Sequence, residues 1–505
     1  MVDRSEGLSH DDGLFRPTRS RFIIFSLIVS AFIAFRLWGL TSYGLIGDEV
    51  FTFQLATDGW AGLIQSAVGD VVHPPLFYAL LKIWIAAGGH SLLWIKLFPV
   101  AMSLCSIPPF IFLCRELGLK SEAAKLALWL MAVNDFLINF SQELRMYSQA
   151  IFFALLSLWL FARLYNSNRF SRPLAVGLFF ANLLLIYTHY YGWFIPALEF
   201  LFLLLKRDER IRSFLISLML LLLCFSPWVY FVSQASMAKG GLSANLDWNN
   251  PPTAIDLVWY YTILHGPVTY RLAAPWKSLA AVMVSAVFIY PLLSMIWRKA
   301  RNLELTSRLS QDALPWLALF SFLPPLLSFT LSHLLKNSVW GIRYLIIAAP
   351  TYLILVALAA VKLRSPLIRK ITITLIILWA GVSGLVLTLR KDKIAVAPMA
   401  ARLIESESIQ STPVRVYANR AIIGYTLQFY LDAQAPQQFE VVYTDDYAAI
   451  KDAHFWVAFI KYRYEEQILP QEQIDSENYL RGEGITTETF TQKVFLFPVS
   501  QKKAL

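Results

Sequence analysis

The residues best suited to do chemistry in this chain are carboxylates, histidines and arginines that fall just outside long apolar runs. Asp48 and Glu49 follow Gly47 a few residues beyond the apolar segment Phe22–Leu40. His73-Pro74-Pro75-Leu76 comes next, then Gln142-Glu143-Leu144-Arg145-Met146-Tyr147, and late in the chain Arg343-Tyr344 precedes another apolar run. A carboxylate outside hydrocarbon can take a proton from a hydroxyl, and a guanidinium can grip a phosphate in a two-pronged fork. Acid and cation at one membrane surface suit a reaction in which a lipid headgroup and water-accessible groups meet.

The elements that must position them are membrane helices. The 505 residues are 57% hydrophobic with a mean hydropathy of +0.53, more apolar surface than a soluble core buries. Apolar runs near 22–40, 92–114, 121–139, 147–163, 173–190, 191–205, 213–232, 276–297, 313–333, 342–361 and 371–389 predict about eleven spans. Pro74–Ala87 is apolar but too short to cross a bilayer and reads as an interfacial helix, its prolines at the helix start. Further surface helices are expected after Asp48 and over Thr253–Leu264. The net charge of +10 is dispersed in short clusters between spans, which argues against nucleic acid as a partner. Those clusters, among them Arg163, Arg172, Lys206, Arg210, Lys362 and Arg369, alternate with base-poor loops, so the amino end is read as cytoplasmic. The basic N-terminus without a small-residue cleavage site suggests an uncleaved membrane anchor. Cys105, Cys114 and Cys224 have no metal or disulfide spacing and read as core residues.

Three segments emerge: a disordered cytoplasmic tail at 1–20, a transmembrane catalytic domain at 21–390 and an extracytoplasmic α/β domain at 391–505. The last has strand-length apolar runs at 414–417, 439–443, 455–460 and 494–499, with helices expected near 422–431 and 465–479. It lacks a phosphate-binding glycine loop and any His or Cys cluster, which favours a structural or acceptor-docking role.

In order and in their shared outer face, Asp48-Glu49, His73-Pro74-Pro75-Leu76, Gln142 to Tyr147 and Arg343-Tyr344 resemble the GT-C glycosyltransferases over residues 20–390. Within that superfamily the chain is similar to the bacterial protein-mannosyltransferase and aminoarabinose-transferase branch. The resemblance implies a polytopic α-helical fold and an inverting enzyme. Its donor would be a sugar on a polyprenyl-phosphate carrier, its acceptor a lipid, glycan or protein, and its site extracytoplasmic, in some members with a divalent metal ion.

The residues divide the work accordingly. Asp48 is the candidate base, against the alternative of an N-cap for the helix that follows it. Glu49 reads as a capping or orienting partner, and Glu143 as a second acid that binds a sugar hydroxyl, the acceptor or a metal, with Asp135 a less favoured substitute. Arg343, Lys336 and Arg145 are the cations available to phosphate, the competing account of Arg343 being an arginine that snorkels at a helix end. Tyr147 and Tyr344 accompany them as substrate-binding candidates. His73 could contact phosphate or, with Asp48 and Glu143, a metal. His189 and Tyr190-Tyr191-Gly192-Trp193 form another outer turn, read as an aromatic interface belt more than a sugar platform. Two other readings stay open: a lipid or solute transporter, which would place ionisable groups along a path near the bilayer centre, and an oligosaccharide transferase or ligase that uses a pyrophosphate donor.

Overall fold

The computed structural model describes residues 19–167, 171–238, 250–266, 276–299, 308–335, 337–389, 395–407, 413–444, 446–462, 474, 478–488 and 492–502. Its helices run in chain order as α1 (Arg19–Leu37), α2 (Asp48–Thr57), α3 (Trp60–Asp70), α4 (Leu76–Gly88), α5 (Leu92–Cys105), α6 (Ile107–Glu116), α7 (Ser121–Val133), α8 (Asp135–Gln142), α9 (Tyr147–Asn166) and α10 (Arg172–Thr188). They continue as α11 (Phe194–Lys206), α12 (Ile211–Ala238), α13 (Ala254–Leu264), α14 (Trp276–Lys299), α15 (Arg308–Leu334), α16 (Ala349–Val361), α17 (Pro366–Leu389), α18 (Val396–Ser406) and α19 (Ala421–Gln434). Short 3-10 turns join α10 to α11 and lead into α16.

The protein is a polytopic helical membrane protein. Among the described residues seven helical segments are long and apolar enough to cross a bilayer, and α7 with α8 forms an eighth bent by 51°. α1 and α10 are shorter apolar helices where two more of the eleven spans are expected, and α11, where another is expected, has only 13 residues, short of a bilayer crossing. Where the sequence predicts one straight span at 121–139, the chain breaks at Asn134. The reason is visible in the backbone: Asn134 is extended, its side chain accepts the Leu137 N–H as an N-cap, and a second helix starts there. The break leaves the last carbonyls of α7 without helical partners. The fully buried Arg36 on α1 donates to the Ala132 oxygen at 2.9 Å and the Met131 oxygen at 3.1 Å, and its Nε donates to Ser103 at 2.8 Å. A cation thus meets the negative end of a helix and satisfies its orphan acceptors together.

Helices are present at the three expected places as α2, α4 and α13, and a further helix, α3, lies between α2 and α4. α4 begins directly after Pro75 and packs Phe77, Tyr78, Leu81 and Ile85 into the core. The carboxy-terminal segment is an α/β domain. Its strands β1 (Val414–Ala418), β2 (Phe439–Tyr443), β3 (His454–Tyr462), β4 (Tyr479–Arg481), β5 (Ile485–Glu488) and β6 (Gln492–Gln501) form one sheet in the order β2-β1-β3-β6-β4, with β5 also on β6. β1 runs parallel to β2 and β3, and β6 runs antiparallel to β3. α18 and α19 bury Met399, Leu403, Ile423 and Leu427 against Val416 and Trp456 on one sheet face. The tail at 1–18 and most of the helix expected at 465–479 lie outside the described residues.

Candidate active site

α2 starts at an unusual turn. Gly47, its N-cap residue, adopts φ +50°, and the Val50 and Phe51 amides both donate to the Gly47 oxygen. A side chain at that φ is strained, so glycine is required. Asp48 is the next residue, inside the first turn of α2, so the N-cap position belongs to Gly47 and not to Asp48. Its carboxylate turns outward and remains 49% exposed, with Oδ2 at 3.3 Å from a terminal nitrogen of Arg343 and 3.9 Å from one of Arg145. The two candidates from opposite ends of the sequence are brought together.

Arg145 is the buried hub. It sits between α8 and α9 with 3% exposure, donates to the Asp48 oxygen at 3.3 Å and to the Thr52 hydroxyl at 3.0 Å, and places its other terminal nitrogen 3.3 Å from His73 Nε2 and 3.4 Å from Nδ1. Asp70, at the end of α3, holds His73 Nδ1 at 3.2 Å. Burial, then the neighbouring Arg145, pushes His73 well below the usual histidine range, so the ring is neutral at physiological pH. For Asp48 partial burial acts upward, but Arg145 and then Arg343 outweigh it and hold the carboxyl below its ordinary value. Asp48 is therefore ionised at neutral pH.

The remaining candidates fall into two groups. Glu49 is buried, and its Oε1 accepts the Leu144 N–H at 2.8 Å and lies 3.6 Å from the fully buried Lys96. It fixes the Gln142–Tyr147 segment to α2 and so orients Arg145. Glu143 accepts a hydrogen bond from Asn139 at 3.2 Å, and Asp135 lies buried in the first turn of α8. Tyr344 and Tyr147 both face His189, with ring centroids 5.2 and 6.3 Å from it. Lys336 lies outside the described residues.

His189, read from the sequence as part of an interface belt, belongs to the cluster. Its ring centroid is 5.7 Å from that of His73, its Nδ1 accepts the Tyr191 N–H, and its buried Nε2 has no hydrogen-bond partner among the described residues. The buried Tyr147 hydroxyl is likewise unpartnered among them. The pattern His-Tyr-Tyr at the end of a span held the signal, but nothing in the sequence indicated which loops would share its corner. A cavity of about 590 Å³ opens here. His73, His189 and Tyr344 form its polar end, and Phe225, Trp228, Val232 and Met237 carry its apolar wall along α12.

Among the described residues no group of three or more His, Cys, Asp or Glu could hold a metal ion. Asp48, His73 and Glu143, the set the sequence left possible for a metal, do not form such a group among the described residues: Glu143 bonds Asn139, and Arg145 lies against the His73 ring. Two guanidiniums facing Asp48 suit an anion more than a divalent cation.

No family model matches the chain, and no curated protein matches it by sequence. Solved structures do. ArnT from Cupriavidus metallidurans in the apo state superposes with a TM-score of 0.55 at 13% identity, covering 94% of this chain and 97% of that one. The same protein bound to undecaprenyl phosphate gives 0.52 at 13%, covering 95% and 98%. The fold is that of the GT-C superfamily. The archaeal oligosaccharyltransferase AglB from Archaeoglobus fulgidus, in complex with an inhibitory peptide and a dolichol-phosphate, matches at 0.46 and 11% identity, over 87% of this chain and 69% of its own. Within the GT-C frame of this chain, the loop after α1, the end of α3, the α8–α9 link, the α10–α11 turn and the approach to α16 meet at one end of the bundle, and the cluster lies there.

Proposed function

We propose that this GT-C protein is an inverting glycosyltransferase that moves a sugar from a polyprenyl-phosphate carrier to an acceptor hydroxyl on the extracytoplasmic face of the bacterial plasma membrane. The observation that carries this reading is the ionised Asp48 within 3.3 Å of Arg343, beside His73 and Tyr344, which form part of the polar end of an apolar cavity. The cavity's apolar wall suits a prenyl chain, and its polar end a phosphate. That a protein of this fold has been solved with undecaprenyl phosphate bound supports the same donor class.

In this reading the acceptor hydroxyl attacks the anomeric carbon from the side opposite the phosphate. Its proton passes to Asp48, the new carbon–oxygen bond forms, and the bond to the phosphate oxygen breaks with inversion. Negative charge grows on the departing phosphate. Arg343 is placed to meet it with two donors, and Arg145 adds fixed positive charge from within. The unpartnered His189 Nε2 offers one more polar contact to the phosphate or sugar. Donor and acceptor would be held in one corner, which removes much of the entropic cost of their encounter.

The alternative of a transporter is less well supported. Among the described residues, Arg36, Lys96 and Glu199 inside the helix bundle are tied down, Arg36 at the α7 break, Lys96 by Glu49, and Glu199 by accepting from Ser157 at 2.8 Å and Asn182 at 3.0 Å. None of them lines the cavity. The test is a deletion strain examined by mass spectrometry of its envelope glycolipids and glycoproteins. One sugar modification should disappear, its lipid-phosphate donor should accumulate, and the parent gene should restore it. Asp48→Asn keeps shape and removes the proton acceptor, so it should restore at most about 1% of the rate. An unchanged envelope, or full rescue by Asp48→Asn, would overturn the reading.

A further inference from the structure

The C-terminal α/β domain touches the turn that carries Asp48. Thr426, in the middle of α19 and fully buried, accepts the Gly47 N–H at 2.8 Å while its own hydroxyl donates to Ile422. One turn further along α19 the Tyr430 hydroxyl donates to the Leu45 oxygen at 3.1 Å. Tyr425 donates to Gln54 on α2, and Phe429 meets the edge of Phe53 with ring centroids 6.1 Å apart. The approach leaves no slack. A methyl group at Gly47 would lie 2.6 Å from Ile422, and one at Gly44 would lie 2.1 Å from the Tyr430 hydroxyl. Both glycines thus have a reason in the partner domain, beyond the positive φ of Gly47.

Taken together, one face of α19 contacts the backbone immediately before Asp48 and the side chains of the helix that Asp48 begins. We propose that α19 is a positioning element of the active site: Thr426 and Tyr430 set the Gly44–Gly47 turn and thereby aim the Asp48 carboxylate, so that the C-terminal domain is part of the catalytic unit. This rests on the transferase reading for its chemical consequence, though the brace itself is independent of it. The Gly47 amide, directly before Asp48, takes its acceptor from the other domain. If Thr426 loses its oxygen, that buried N–H loses its acceptor and the turn is free to shift. A displacement of about 1 Å at a reacting group is enough to slow transfer by one or two orders of magnitude.

The test uses the purified full-length protein. Amide hydrogen exchange over residues 45–51 reports the brace, and release of polyprenyl phosphate from the donor that accumulates in the deletion strain, with membranes of that strain added to supply the unmodified acceptor, reports turnover. Thr426→Val should speed exchange in that segment by about tenfold and lower kcat by about tenfold with KM for the donor nearly unchanged. Thr426→Ser should restore both. If Thr426→Val does not yield folded protein, Tyr430→Phe removes only the contact to Leu45 and should move both readouts in the same direction. Unchanged exchange, or faster exchange with parental kcat, overturns the proposal. A wild-type protein with no turnover whose segment 45–51 still loosens in Thr426→Val would sink the transferase reading and, with it, the catalytic role assigned to α19, while leaving the brace.

Discussion

Asp48 is asked to do two things that pull against each other. A base must be ionised before it acts, yet a carboxylate held low by cations is a poor proton acceptor. The geometry resolves this if the donor phosphate competes for the same guanidiniums: with no donor, Arg343 at 3.3 Å holds the carboxylate ready, and when phosphate draws Arg343 away the basicity of Asp48 rises where it is needed. The sign of the pH dependence follows. Because Asp48 is depressed in the free protein, the acid limb of kcat/KM should fall below the ordinary aspartate value of about 3.9, and that of kcat should lie higher. Arg343→Ala removes one depressing charge, so the kcat/KM limb should move upward. Burial holds His73 well below the ordinary histidine value of about 6.5, so the profile should show no inflection near that value. An inflection there that vanishes in His73→Gln would mean that the histidine carries the proton instead. Arg343→Lys keeps a charge but loses the fork, and kcat should drop about tenfold or more with a smaller change in KM. Parental kinetics would leave Arg343 a snorkelling anchor.

The elements show where a sequence pattern carries spatial information and where it does not. Apolar runs located seven long spanning helices and the short helix after Pro74, because length against bilayer thickness is a one-dimensional property. The four longer strands were legible for the same reason. The break at Asn134 was not, since it depends on Arg36 from a helix about 100 residues away closing the α7 carbonyls. Nor was the entry of His189 into the corner, which is decided by how α10 and α11 pack against the approach to α16. Asp48 and Arg343 could be nominated by type and placement, but their 3.3 Å contact is a tertiary fact. The bend gives an element-scale prediction. Arg36→Met fills similar volume but leaves two buried carbonyls and Ser103 without a donor. Thermal unfolding in detergent should reveal a loss on the order of 3 kcal/mol. A melting temperature equal to the parent would show that the break needs no cation.

For the whole molecule, the site is useful only if it faces the compartment that holds the donor. The corner formed by Asp48, His73, Arg145, His189 and Arg343 lies at one end of the helices, and the basic clusters lie at the other. There Arg163 pairs with Glu116 at 3.1 Å, Lys206 pairs with Asp312, and Arg210 donates to the carbonyls of Tyr165 and Ser167. Loops that retain positive charge stay cytoplasmic, so this asymmetry argues for an outward-facing site. The C-terminal domain follows the last span, α17, and its α19 meets the turn at Asp48, so domain and site must share a side whichever side that is. That makes orientation testable with two fusions. A reporter active only outside the cytoplasm should work when fused after Ser406 and stay silent when fused after Lys299, at the end of α14. If the two results are exchanged, the corner faces the cytoplasm, and a lipid-phosphate donor presented on the outer leaflet could not reach Asp48.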